Sequence, residues 1–128
     1  MLFRSLDDIV SSYATGSVTL ESNTTENTYI GGLVGYCYDS FISGCYATGS
    51  VTGSGSGTIY VGGVLGTSHC GTMNACYHAQ GKVSGPNGTT GGVLGQNIWD
   101  SKFGGGILNV CYWENNGQEK GLGVPIKY

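Results

Sequence analysis

Five cysteines, two histidines and eight acids are the side chains of this 128-residue chain with chemistry to offer. The cysteines are Cys37, Cys45, Cys70, Cys76 and Cys111. No C-x-x-C pair occurs, and neither His69 nor His78 stands at a zinc-finger spacing, so the residues assign no metal site. Cys45, Cys76 and Cys111 each stand just before a tyrosine, and Ser12 holds that place earlier in the chain. A disulfide framework does not tolerate serine there. A small buried slot does, so these three read as a column of buried thiols. Cys37 and Cys70 fall two and four residues past similar glycines in the same loop of successive repeats, and a bridge between them stays open. Five is an odd number, so at least one thiol is unpaired unless two chains are linked.

His69 lies in a loop beside Cys70, and His78 lies in a strand that also carries a tyrosine. A Cys-His nucleophile needs an orienting partner and an oxyanion hole, and the spacing supplies neither; an exposed loop histidine is the ordinary reading. The acids are Asp7, Asp8, Glu21, Glu26, Asp39, Asp100, Glu114 and Glu119. Paired carboxylates can work as general acid and base. Asp7, Asp8 and Asp39 come closest to sharing one level of the repeat, but the set is scattered over loops and reads as solvated turns. No calcium-binding nonapeptide is present. "GSGSG" at 53–57 lacks the lysine and helix of a phosphate loop and reads as a flexible loop. "NTT" at 23–25 and "NGT" at 87–89 match the glycosylation sequon. No catalytic, cofactor-binding or metal-binding residue is assigned, no cofactor is expected, and the chain is expected not to be an enzyme.

The elements that carry these residues follow from composition and repetition. Glycine supplies 25 residues, charged residues only 10 %, and proline two. Disorder would show more charge and fewer β-formers; collagen would need abundant proline. A net charge of −3 with five basic residues argues against nucleic acid. No run of 18 apolar residues offers a membrane span. The opening "MLFRSLDDIV" lacks a signal-peptide core, so the expectation is a lost signal, an excised piece of a longer chain or an unusually small family member.

Two lines alternate along the chain. The tyrosine line is "SSYATGSVTL" at 11–20, "GCYATGSVTG" at 44–53, "ACYHAQGKVSG" at 75–85 and "VCYW" at 110–113. The glycine line is "YIGGLVG" at 29–35, "YVGGVLG" at 60–66 and "TGGVLGQ" at 90–96. Each unit is about 30 residues, the signature of stacked repeats. In "CYATGSVT" the small Cys45, Ala47, Gly49 and Val51 alternate with Tyr46, Thr48, Ser50 and Thr52, which is the period of a half-buried strand. The chain is too short for a propeller. An all-β solenoid of about 3–4 coils fits, with like residues stacked at about 4.8 Å. The units run approximately 6–35, 36–66, 67–96 and 97–113, with 114–128 as a C-terminal cap or tail, all in one domain.

Specific columns follow. Tyr13, Tyr46, Tyr77 and Tyr112 should form an aromatic ladder, Ile9, Ile42, Met73 and Leu108 an inner apolar one, and Val18, Val51 and Val83 another. "YHAQGKV" has one residue more than "YATGSV", so a bulge is expected near His78 to Gln80.

"YIGGLVGY", "YVGGVLGT" and "GGVLGQN", each followed by a line such as "SGCYATGSVTG", resemble the GLUG motif of bacterial surface proteins, as does the closing "NVCYWENNGQEKGLG". The resemblance runs from about Ile9 to Gly123. It implies a right-handed parallel β-helix, a non-catalytic spacer or adhesive role, and a place at the bacterial cell surface or outside the cell. The partners it implies are neighbouring domains of a larger surface protein, with a glycan or host protein at the loops. The open strand edges of a solenoid suggest copies of itself, stacked as a filament. A polysaccharide-active enzyme is the third reading.

Overall fold

The computed structural model describes residues 2–3, 8–86, 89–102, 106–115 and 120–127, and among them every regular element is a β-strand. In chain order these are β1 (Leu2–Phe3), β2 (Asp8–Val10), β3 (Tyr13–Ala14), β4 (Val18–Ser22), β5 (Thr28–Gly31), β6 (Val34–Tyr38), β7 (Phe41–Ser43), β8 (Tyr46–Ala47), β9 (Val51–Gly55), β10 (Ile59–Gly62), β11 (Leu65–His69), β12 (Thr72–Asn74), β13 (Tyr77–His78), β14 (Val83–Ser84), β15 (Thr90–Gly91), β16 (Leu94–Trp99), β17 (Ile107–Asn109), β18 (Tyr112–Trp113) and β19 (Leu122–Lys127).

Each strand pairs with the fifth one along, except that β16 pairs with β19. The sheets are β2-β7-β12-β17, β3-β8-β13-β18, β4-β9-β14, β5-β10-β15 and β1-β6-β11-β16-β19. All pairings are parallel. The chain is therefore a β-solenoid of about three turns with five sheets around its perimeter.

The register reproduces the repeat. Ile9, Ile42, Met73 and Leu108 align in one column, Tyr13, Tyr46, Tyr77 and Tyr112 in a second, and Val18, Val51 and Val83 in a third. The inner set Cys45, Ala47, Gly49 and Val51 is buried, and Tyr46, Thr48, Ser50 and Thr52 between them are half-buried. The period-two pattern thus sets the faces directly. The extra residue of the third unit sits at Ala79–Gly81. Gln80 takes φ 70°, and the Gly81 N–H reaches both Thr48 O and Ala79 O at 2.9 Å. Pairing then resumes at Val83 with its faces restored.

The core has two lobes. One holds Ile9, Val34, Ile42, Leu65, Met73 and Leu94 with Cys37, Cys45 and Cys76; the other holds Ile30, Val51, Ile59, Val61 and Val83. Gly32, Gly63 and Gly92 run between them. A Cβ on Gly63 would meet the His78 ring at 2.6 Å, and one on Gly92 the Trp113 ring at 2.3 Å, so these glycines make room for large inward side chains.

Two sequence expectations are corrected. "GSGSG" is a loop only at its end: Gly53, Ser54 and Gly55 belong to β9, and Ser56 and Gly57 form an exposed bend. A Cβ on Gly53 would strike Ile30, Val61 and Ile59 within 3.0 Å, and Gly55, at φ 113°, lies against the Ser22 backbone. These glycines serve close stacking, which composition alone does not distinguish from looseness. His69 ends strand β11 and is half-buried, not an exposed loop residue, while His78 lies in its expected strand and turns its ring into the core. The tail also returns to the stack: β19 pairs with β16, with Leu122 beside Leu94 and Pro125 beside Asn97. A residue without an N–H is tolerated on such an edge strand.

Candidate functional site: the stacked columns

The thiol column sits at a corner. Ser11, Gly44, Ala75 and Val110 take φ of 49°, 64°, 53° and 54°, a left-handed bend repeated at every level between the first two sheets. The bend's N–H is held by the next level, Ser11 N to Ser43 O at 3.0 Å, Gly44 N to Asn74 O at 3.0 Å and Ala75 N to Asn109 O at 3.0 Å. The following residue then donates back across the bend. Ser12 Oγ reaches Val10 O at 3.0 Å, Cys45 Sγ reaches Ser43 O at 3.4 Å, Cys76 Sγ reaches Asn74 O at 3.4 Å and Cys111 Sγ reaches Asn109 O at 3.6 Å. A short donor is what the place requires, so serine and cysteine exchange there.

All five cysteines are free, so the open possibility of a Cys37–Cys70 bridge is settled against. Register explains it: Cys37 pairs with Ser68, two residues before Cys70. Burial pushes the Cys37 thiol up to about 11, against a weaker downward pull from Ser68 and the His69 backbone. Burial also raises Cys70, although the Asp100 backbone lowers it in part. Neither is a ready nucleophile, since the thiolate is the reactive form.

The histidines have other partners. His69 Nδ1 lies 3.0 Å from the Tyr36 hydroxyl, and its ring packs edge-on against Tyr38 at 4.8 Å. Desolvation, and then the neighbouring Tyr29, raise the Tyr36 phenol above its ordinary value. His78 Nε2 is 2.8 Å from Gly49 O; a carbonyl only accepts, so Nε2 carries the proton. Its Nδ1 is buried with no hydrogen-bond partner.

The acids do not converge. Asp8 stacks on Phe41, and Asp39 bends the chain at φ 48° with its N–H on His69 O at 2.8 Å. Asp7 and Glu119 lie outside the described residues. Glu114 caps the bulge, its carboxylate accepting the Gln80 N–H at 2.6 Å. Among the described residues no group of three or more His, Cys, Asp or Glu is placed to hold a metal. Asn23 lies in an exposed bend, and Asn87 is outside the described residues.

Two aromatic stacks mark the surface. Tyr13 and Tyr46 stack at 5.2 Å and 8°, and Tyr46 and Tyr77 at 4.9 Å and 5°. Tyr29 and Tyr60 form a second stack at 5.7 Å and 12°, with Tyr36 tilted against Tyr29. The second stack was legible in the tyrosines that open the glycine line, but the sequence reading did not extract it. Tyr46 is covered by a stacked ring on both faces, and Tyr13 and Tyr77 on one each.

The last coil differs from those before it. An apolar hollow of about 370 Å³ opens there, lined by Val93, Leu108, Cys111, Trp113, Gly121 and Leu122 among others. These are inward positions with fewer neighbours above them.

The architecture and its columns define a parallel β-solenoid repeat domain. Residues 26–52 match the family model described as the GLUG motif, so the chain carries a GLUG-motif repeat region. The match covers β5 to the start of β9, and β10 to β14 repeat that path in register. Neither a curated protein nor a solved structure matches the chain.

Proposed function

We propose that the chain is a non-catalytic structural repeat module of a bacterial cell-surface or extracellular protein, a stiff segment that spaces neighbouring domains and presents its corner loops. The observation that carries this is where the repeated residues sit. The repeated letters fill inner columns, ring stacks and backbone contacts, while the bends at 23–27 and 56–58 differ from coil to coil. Selection for a site would repeat or single out surface side chains; selection for a stackable cross-section repeats inner ones. A glycan or host protein would then meet the loops, which vary while the stacked tyrosines pack on one another. The test replaces residues 24–27 with a glycine-serine turn. The expected result is an unchanged melting temperature, with any capture on a glycan or host-protein array altered. Release of reducing ends from a polysaccharide panel, abolished in Asp39→Asn, would overturn the non-catalytic reading.

A second reading, filament assembly, has its own observation. Most exposed large apolar side chains lie in the two end coils, Val10, Tyr13 and Leu20 in the first and Ile107, Leu108, Val110, Tyr112 and Trp113 in the last, with Phe41 and Tyr77 the exceptions between them. Open strand edges beside such residues are templates for further pairing. Light scattering and electron microscopy across a concentration range decide it. Uniform fibres that disappear in Leu108→Lys support assembly, and a monomer at every concentration removes it.

A further inference from the structure

We propose that Cys76 and Cys111 are a redox-responsive dithiol, whose oxidation to an inter-coil disulfide staples the last coil to the one before it. This goes beyond the spacer reading and does not depend on it.

Register on both sides of the corner fixes the pair. Asn74 aligns with Asn109 before the bend, and Tyr77 with Tyr112 after it. Cys76 and Cys111 therefore stand level with each other at successive corners, about 4.8 Å apart along the stack; that is inside the Cα separation of about 4.4–6.8 Å that a disulfide spans, and the corners need close only slightly to bring the Cβ atoms to the roughly 3.5–4.5 Å of a bridge. Their side chains point alike. Each Sγ lies near its own corner carbonyl and near a carbonyl one level back, Ile42 O at 3.6 Å for Cys76 and Met73 O at 3.8 Å for Cys111.

Access assigns the roles. Cys111 lines the open hollow and is half-buried, whereas Cys76 is sealed beneath it. The Cys76 S–H beside it holds Cys111 below the ordinary thiol value, and the same pairing, with burial, holds Cys76 above it. Cys111 is thus the attacking thiol and Cys76 the resolving one. Cys45, the next rung, is fully buried, as is Cys37, and Cys70 is nearly so.

The co-reactant is a small organic disulfide. The Cys111 thiolate attacks one of its sulfurs and expels a thiolate, leaving a mixed disulfide. Cys76 then loses its proton and attacks the Cys111 sulfur, expelling the second thiolate. The protein loses two hydrogens, and the reagent leaves as two thiols.

The test treats the folded chain with oxidised glutathione, quenches the reaction, unfolds and alkylates the protein in denaturant, and reads intact mass and peptide map. Of the five thiols, three should remain alkylatable, with no glutathione retained and one Cys76–Cys111 cross-link. The melting temperature should rise by several degrees, fall back on reduction, and not respond in Cys111→Ser. Serine is the residue the chain itself uses on this rung, at Ser12, so that variant keeps the corner donor; Cys45→Ser should still show the rise. A persistent mixed disulfide on Cys111, a link through Cys45, Cys37 or Cys70, a covalent dimer, or no reaction of the folded chain overturns the proposal. The wild-type map decides the matter even if Cys111→Ser does not fold.

Discussion

Ile42 and Leu108 stand in the same column, on the same face of the same sheet, yet Ile42 is 0 % exposed and Leu108 37 %. The difference is what lies above and below. Ile42 has Ile9 on one side and Met73 on the other; Leu108 has Met73 beneath it and the hollow above. Burial in a solenoid is thus a property of level as much as of residue type, because each coil is the wall of its neighbours' core. The middle coils and the last coil obey one pattern and differ in stability contribution.

That contrast should show first in the apolar column. Ile42→Ala removes packing on both sides and should cost about 2–5 kcal/mol, whereas Leu108→Ala should cost about 1–2 kcal/mol, since its side chain is already partly solvated and opens onto the hollow. Urea unfolding measures both, and equal losses would erase the distinction between levels.

The sealed thiol gives the next effect. Cys37 is raised from 9.0 to about 11 by burial. A folded value above the unfolded one means that its stability contribution is full below about pH 9 and is lost as pH rises towards about 11. The shift corresponds to about 2–3 kcal/mol. The melting temperature should fall across that window, and Cys37→Ala should flatten the contribution of this thiol to the fall.

Glycine sharpens the comparison further. Gly16 and Gly49 share a column, set by the pairing of Val18 with Val51. A Cβ on Gly49 would lie 2.0 Å from Gly16 O, while one on Gly16 meets nothing within 4 Å. Gly49→Ala should cost about 1–3 kcal/mol as overpacking. Gly16 does not have positive φ, so Gly16→Ala should gain about 0.4–1 kcal/mol by stiffening the unfolded chain. Thermal melts of the two variants should move in opposite directions.

The smallest expected effect lies on the surface. Tyr46 stacks on two rings and Tyr13 on one, at about 0.5–1.5 kcal/mol for each aromatic pair. Tyr46→Leu should therefore cost about twice what Tyr13→Leu costs.

Much of this was legible in the letters. The alternation of Cys45 to Thr52 gave both faces of the strand, and one extra letter in "YHAQGKV" placed the bulge at Gln80, because side-chain period two leaves no other remedy. The fourth glycine line was missed: "KGLGV" puts Lys120 where Gly32, Gly63 and Gly92 stand, so the signature loses its pair while the backbone bond from Gly92 N to Lys120 O persists. Left-handed corners at Ser11, Ala75 and Val110 carry no glycine signal, because stacking imposes the bend from outside the residue. His78 was not read as core, because its type suggests solvent while its column, Ala47 below and Trp113 above, points inward. Of the candidate pair Cys76–Cys111, the sequence gave the column; the reach from solvent came only from the hollow.

The hydrogen bonds of all five sheets join one coil to the next, so they lie along the long axis of the stack. Tension between the two ends would load them a coil at a time, as in a zip, instead of shearing them together. Each coil released would pay out about 30 residues, roughly 100 Å of chain at full extension. A solenoid pulled along its axis would therefore lengthen in discrete steps, one coil at a time.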